Sequence, residues 1–152
     1  MKSIQETYAP HSLCFGCGPS NSQGLRIKSY VDGNLFFANF KPESYHQAFE
    51  NVLSGGIVGT LLDCHSNWCA AYSMMKFANE NAPACTVTAY YSVELLKPTP
   101  MDSILKLVAS PIKVSNNKAE INAELLAQDV CTARCSGLFV AVSPGHPAFH
   151  RW

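Results

Sequence analysis

Polar and apolar residues alternate over several short runs of this chain and give way to one long apolar run near its middle. Leu25 to Val31 alternates, Asp32-Gly33 is a hairpin signal, and Leu35 to Phe40 is the returning strand. Lys41 to Val52 is polar and aromatic, carries Pro42, and predicts a loop or a short helical turn. From Ser54-Gly55-Gly56 to Met75 the apolar residues fit a single helix, closed by the segment from Asn79 to Pro83. Four strands follow: Cys85 to Leu96, Ser103 to Val114, Lys118 to Ala127 and Val130 to Val142. Ser110-Pro111 breaks the second of these and suits a bulge or an edge; Asn116-Asn117 and Gln128-Asp129 are turns. Residues 1–13 read as a loose arm and 143–152 as an irregular tail. Two strands, one helix and four strands predict a single α+β domain over 1–152, an antiparallel sheet of about six strands wrapped around the helix.

The helix carries the chemistry. On a wheel advancing about 100° per residue, Gly56, Gly59, Thr60, Asn67 and Ala70 fall within roughly 60° of Asp63. Ile57, Leu61, Cys64, Trp68, Tyr72 and Met75 cluster towards the other side. A carboxylate in so apolar a helix is costly unless it is paired or working, which makes Asp63 a candidate catalytic group. His65 lies about 160° from it, in the bulky stripe, and reads as a hydrogen-bonded core histidine. Asn67, one turn beyond Asp63, is within reach of whatever Asp63 binds. Gly55 and Gly56 stand at the helix start, where free N–H groups and the helix dipole favour an oxygen gaining negative charge; the alternative is that they serve only close packing.

Charge narrows the options. The 152 residues hold 11 Lys+Arg and 11 Asp+Glu, so no basic field exists to hold nucleic acid or a membrane surface. Only 14% of residues are charged, against roughly 25% in an average soluble domain, so part of the surface is expected to be covered by another subunit. No signal-peptide stretch opens the sequence, and polar residues interrupt the apolar run, which argues for a buried helix rather than a membrane span. Seven cysteines without disulfide-framework spacing point to free thiols and a cytoplasmic protein. Cys14 and Cys17 have the spacing of a metal knuckle, with His11 as a third candidate ligand. A zinc site normally needs a second ligand pair, and Cys131 and Cys135 read as same-face strand residues, so no metal is expected.

The sequence resembles the hotdog-fold acyl-CoA thioesterases, in particular the PaaI-like branch of the phenylacetate pathway. Three stretches carry the resemblance: Cys14-Phe15-x-Cys17-Gly18-Pro19-x-Asn21-x-x-Gly24-Leu25, Ser54-Gly55-Gly56 followed by Leu61-Leu62-Asp63, and Val87-Thr88 through Leu96-Lys97-Pro98. Together they span about residues 13 to 142. The resemblance implies a homodimer, or a homotetramer built from dimers, with two active sites at the interface between edge-joined sheets. It implies hydrolysis of a small-molecule acyl-CoA, with coenzyme A part of the substrate and no separate cofactor. Asp63 would act as general base or nucleophile, the amides of Gly55 and Gly56 would polarise the carbonyl, and Thr88 would stand near the attacking water.

Ser54 occupies the place where the family usually has histidine; it can donate a hydrogen bond but supplies no imidazole, and His46 or Asn51 are neighbours able to compensate. Lys97, Lys113 and Arg134 are candidates for the phosphates of CoA. Met74, Met75, Phe77, Tyr90 and Tyr91 would line an acyl pocket or simply pack the core. A non-catalytic acyl-CoA binder is the alternative that Ser54 motivates, and a hydroxyacyl-thioester dehydratase ranks last for want of a histidine facing Asp63.

Overall fold

The computed structural model describes residues 1–149. Its elements run α1 (Ile4–Tyr8), β1 (Ser29–Asp32), β2 (Leu35–Phe40), a 3-10 turn (Ser44–His46), β3 (Gln47–Phe49), β4 (Val52–Leu53), α2 (Gly55–Phe77), β5 (Thr86–Leu95), β6 (Leu105–Val114), β7 (Lys118–Ala127) and β8 (Val130–Ala141). Six strands form one sheet in the order β1-β2-β6-β7-β8-β5, every pair antiparallel. Helix α2 packs against β2, β5, β6, β7 and β8, so the expected α+β wrap around one helix is the observed architecture. No helix among the described residues is long and apolar enough to cross a membrane.

The long strands fall close to their expected bounds, and alternation of inward apolar residues is clearest in β7. In β7 Ala119, Ile121, Ala123, Leu125 and Ala127 are buried and the residues between them are mostly exposed. Gly33 closes the β1–β2 hairpin at φ 58°, a conformation that suits a residue without Cβ. Pro111 sits at a register shift in β6, past the last residue paired with β2, so its missing N–H costs no ladder bond on that side.

Four features differ from expectation. The first strand begins only at Ser29, because residues 25–27 belong to a loop closed by Leu25 N–H to Phe15 O (2.8 Å) and Ile27 N–H to Gly16 O (3.0 Å). The segment before α2 contains the small hairpin β3–β4. The arm is not loose: α1 opens on a Ser3–Glu6 capping box, Glu6 pairs with Lys28 at 2.7 Å, and Gln5 is buried. Finally, α2 is buried around most of its circumference rather than along one stripe, since Gly59, Leu62, Ser66 and Ala70 are as covered as Leu61 and Trp68. The sheet covers one side and the folded arm much of the other. Residues 143–149 are turns, and 150–152 lie outside the described residues.

His65 joins these layers. Gln5 Nε2 donates to Ser29 Oγ (3.0 Å), which leaves the Ser29 hydroxyl to donate to His65 Nδ1 (2.9 Å) and His65 Nε2–H to donate to Phe36 O (3.3 Å). The imidazole is fully buried and is a core group, as the wheel predicted. Burial pushes its pKa from 6.5 down to about 4, with the Phe36 carbonyl opposing weakly.

The arm docks onto α2 through Gly16, where an added Cβ would lie 2.3 Å from Cys64 Sγ and 2.8 Å from Thr60 Cγ2. Only a residue without a side chain lets the loop approach so closely.

The folded state keeps His65 neutral, so its contribution is complete above pH 6.5 and is lost as pH falls towards about 4. Urea unfolding should lose up to about 3 kcal/mol from this group across that window. His65→Gln should flatten the slope in part, since burial lowers the pKa of His46 as well. Gly16→Ala should destabilise the fold by about 1–3 kcal/mol in the same assay, through overpacking against Cys64 and Thr60.

Candidate active site

Asp63 lies half-buried on the third turn of α2, facing the first half of β5. Thr88 Oγ1 donates to Asp63 Oδ1 at 2.7 Å, and one pleat earlier Thr86 Oγ1 donates to Asn67 Oδ1. The two threonines are two apart on a strand and therefore share a face, while Asp63 and Asn67 are four apart on a helix and share a stripe. Crossing these two periodicities produces a matched double contact. With its oxygen engaged by Thr86, Asn67 keeps its NH₂ group as its remaining hydrogen-bonding capacity.

A cavity of about 120 Å³ opens beside this pair, lined by Asp63, Cys64 and Asn67 from α2, Thr88 from β5, and Cys14 and Cys17 from the arm. Asp63, Asn67 and Thr88, expected to work together, are therefore together. Tyr91 and Cys135 are both held protonated, first by burial and then by the negative charge of Asp63.

Tyr90 does not reach this site. The ladder to β8 shifts register between Thr88 and Tyr90, which inserts one residue and reverses the alternation beyond it. Tyr91, not Tyr90, turns its hydroxyl towards Gly59 of α2, and it lies opposite Gly137, whose missing side chain leaves room for it. Tyr90 is 63% exposed. A second register shift, between Leu125 and Leu126, pairs Cys131 with Leu126 and sends it to the outer face beside Glu124, while Cys135 stays inside; the two do not share a face.

Gly55 and Gly56 are the first two residues of α2 and are exposed, with Ser54 at the N-cap. Eight residues at 1.5 Å rise put Gly55 about 12 Å from Asp63 along the axis, so within one chain the two cannot touch one carbonyl. Ser54 makes no side-chain cap, and its N–H donates to His46 O at 3.0 Å. The His46 ring takes a bond from Glu43 N–H at Nδ1. Asn51 occupies the exposed β3–β4 turn at φ 60° and accepts from Met101 N–H.

Gly55 borders a second groove, of about 290 Å³, with Phe49, Val58, Leu95 and Lys97 among its walls. Lys97 thus lies by the helix start. Arg134 does not: it projects from the outer face of the sheet and pairs with exposed Glu94 at 2.9 Å, because it alternates with inward Ala133 and Cys135. Lys113 is exposed near the end of β6, opposite Glu120.

The arm supplies a wall of the cavity that no local sequence pattern marks. Cys14, Cys17 and Cys64 bring their sulfur atoms within 4.8 Å of one another, and Trp68 Nε1–H donates to Cys17 Sγ at 3.2 Å. The thiols of Cys17 and Cys64 lower the pKa of Cys14, and the N–H groups of Cys17 and Gly16 help; Cys17 and Cys64 rise in turn. The cysteine spacing marked the pair, but nothing local to it reports a partner on the distant helix.

No protein-family model matches the sequence, and no curated protein matches it. Solved structures do. A thioesterase superfamily protein from Shewanella loihica PV-4 is 28% identical with a TM-score of 0.66, the match covering 82% of this chain and 98% of that one. The PaaI protein of the E. coli phenylacetic acid degradation operon is 13% identical with a TM-score of 0.66, over 78% of this chain and 81% of that one. A hypothetical thioesterase from Streptococcus pneumoniae TIGR4, solved with coenzyme A, is 13% identical with a TM-score of 0.64, over 77% and 86%. This chain has the hotdog fold that these thioesterase structures share.

Proposed function

We propose that the chain hydrolyses acyl-CoA thioesters in a site shared between two copies. The observation that carries this reading is the Asp63–Thr88 pair at the mouth of a small cavity beside an unpaired strand edge. The likeness to a thioesterase solved with coenzyme A supports the substrate class.

Strand β5 is an edge of ten residues whose outer side pairs with nothing among the described residues, and Tyr90, Tyr91 and Leu95 are exposed along it. A long edge with Glu94 as its one charged residue invites another strand. Thr88 and Asp63 stand by one end of β5, Leu95 and Gly55 by the other. Antiparallel pairing of two such edges about a twofold axis lays the first end of one strand beside the second end of the other. Each Asp63 then faces the helix start of the second copy, which removes the 12 Å separation within one chain.

In that arrangement Gly55 and Gly56 N–H groups, unbonded to any described residue, meet the thioester carbonyl as it gains negative charge. Asp63 acts as general base on water or attacks the carbonyl itself, with Thr88 fixing the carboxylate and Asn67 offering its NH₂ to the water. The groove beside Gly55 suits the pantetheine arm, and Lys97 at its wall suits a CoA phosphate. Ser54 leaves the helix start without an imidazole, which keeps the non-catalytic binder as the competing reading.

Hydrolysis of a panel of acyl-CoAs tests the chemistry. Asp63→Asn should lower kcat by about 10²–10⁴ and Thr88→Val by roughly tenfold, with acyl-CoA binding retained. Binding without turnover by the wild type would favour the binder.

The shared site has its own test. Pro suits the first position of a helix, and Ser54 before it already has an extended backbone (φ −57°, ψ 131°), so Gly55→Pro should remove the N–H with a small shift of Leu95, whose Cδ1 lies 3.2 Å from an added Cβ. Asp63→Asn and Gly55→Pro should each be impaired alone. Re-equilibrated together, they should recover about a quarter of the wild-type rate, since half of the dimers then hold one intact site. A chain that sediments as a monomer while fully active would refute the arrangement.

A further inference from the structure

The cluster of Cys14, Cys17 and Cys64 is not used by thioester hydrolysis, yet it shares the cavity of Asp63. Two of its members come from a Cys-x-x-Cys-Gly loop, and the third is the helix residue after Asp63. All three sulfur atoms lie within 4.8 Å of one another, and Cys14 Sγ and Cys64 Sγ are 3.8 Å apart. Four sulfur ligands around tetrahedral zinc at about 2.3 Å stand about 3.8 Å from one another, whereas a disulfide needs about 2.05 Å.

The surroundings fit thiolates held for a metal. The Trp68 indole N–H donates to Cys17 Sγ at 3.2 Å. Donors of this kind offset the charge that sulfur keeps when it binds a metal, and they orient the ligands. Gly18 N–H to Cys14 O (2.8 Å) closes the knuckle, and Gly16 has no side chain, which lets Cys64 enter it. An entry path exists too, since Cys14 is exposed and the cavity borders all three residues.

We propose that Cys14, Cys17 and Cys64 form a three-thiolate site for zinc or another soft divalent metal, its fourth position filled by water from the cavity. Three S–H protons leave as three sulfur–metal bonds form, and no oxidation state changes. Bound there, the metal clamps the arm onto α2 beside Asp63. The site depends on tertiary closure of residues 14–17 against residue 64, and it stands whether or not the chain hydrolyses thioesters.

Cobalt(II) is the direct probe, added to the reduced full-length chain with zinc competition to follow. One equivalent should give a thiolate-to-cobalt charge-transfer band with the strong visible bands of tetrahedral geometry, and zinc should abolish both. Elemental analysis of the zinc-loaded chain should find one zinc per chain. Cys14→Ser, Cys17→Ser and Cys64→Ser should each lose the band, whereas Cys131→Ser, on the outer face of the sheet, should keep it. Trp68→Phe should retain the band with affinity lower by about tenfold, the effect expected for an outer-shell donor. Circular dichroism separates loss of ligand from loss of fold. Absence of the band in the folded wild type, its persistence in folded Cys64→Ser, or isolation of the native chain as a Cys14–Cys64 disulfide would overturn the proposal.

Discussion

A 2.7 Å hydrogen bond from Thr88 to Asp63 ties the edge strand β5 to the central helix, and the rest of the site is arranged around it. A carboxylate among apolar neighbours has to be satisfied, and here a strand hydroxyl does it while the carboxylate still borders a cavity. The second contact, Thr86 to Asn67, fixes the register between helix and strand, because both pairs cannot form if either element slides by one residue. Precision at Asp63 therefore comes from two regular elements rather than from a loop.

That arrangement needs α2 to be covered on nearly all sides, and the chain does so with two different materials. The curved sheet supplies Leu105, Leu107, Ile121, Leu125 and Phe139, all fully buried. The far side is closed by the arm, and there polar groups take part: Gln5, Ser29 and His65 form a buried chain of hydrogen bonds, and Cys17 receives the Trp68 indole. Buried polar groups are tolerable only when every donor finds an acceptor, so this side has few alternative packings. The arm is consequently a structural wall of the cavity, and the thiols it delivers stand next to Asp63.

The unpaired edge of β5 gives the architecture its direction. Its two ends carry different chemistry, a carboxylate by Thr88 and a helix start by Leu95, separated by more than one chain can bridge at a single carbonyl. The proposed twofold arrangement would remove that separation, and the low fraction of charged residues is what a partly covered surface would require.

Much of this was legible in the residues. Strand-type composition, turn signals and, in β7, alternation placed the four C-terminal strands, the glycine pair and the Asn79–Pro83 segment bracketed the helix, and the wheel put Asp63 with Asn67 and sent His65 to the core, because these depend on neighbours within a turn or a pleat. The tertiary structure alone decided the rest. Strand phase changed at two bulges, so Tyr91 displaced Tyr90 beside the helix and Cys131 left the face of Cys135; a one-residue insertion reverses a period of two, and its position depends on the partner strand. Arg134 went to the outer face for the same pleat-level reason. The loop from Cys14 to Cys17 met Cys64 across a separation of fifty residues that no local pattern encodes. What the sequence determined by itself was periodic and short-ranged; closure of the arm, strand register and the company of each thiol were set by long-range packing.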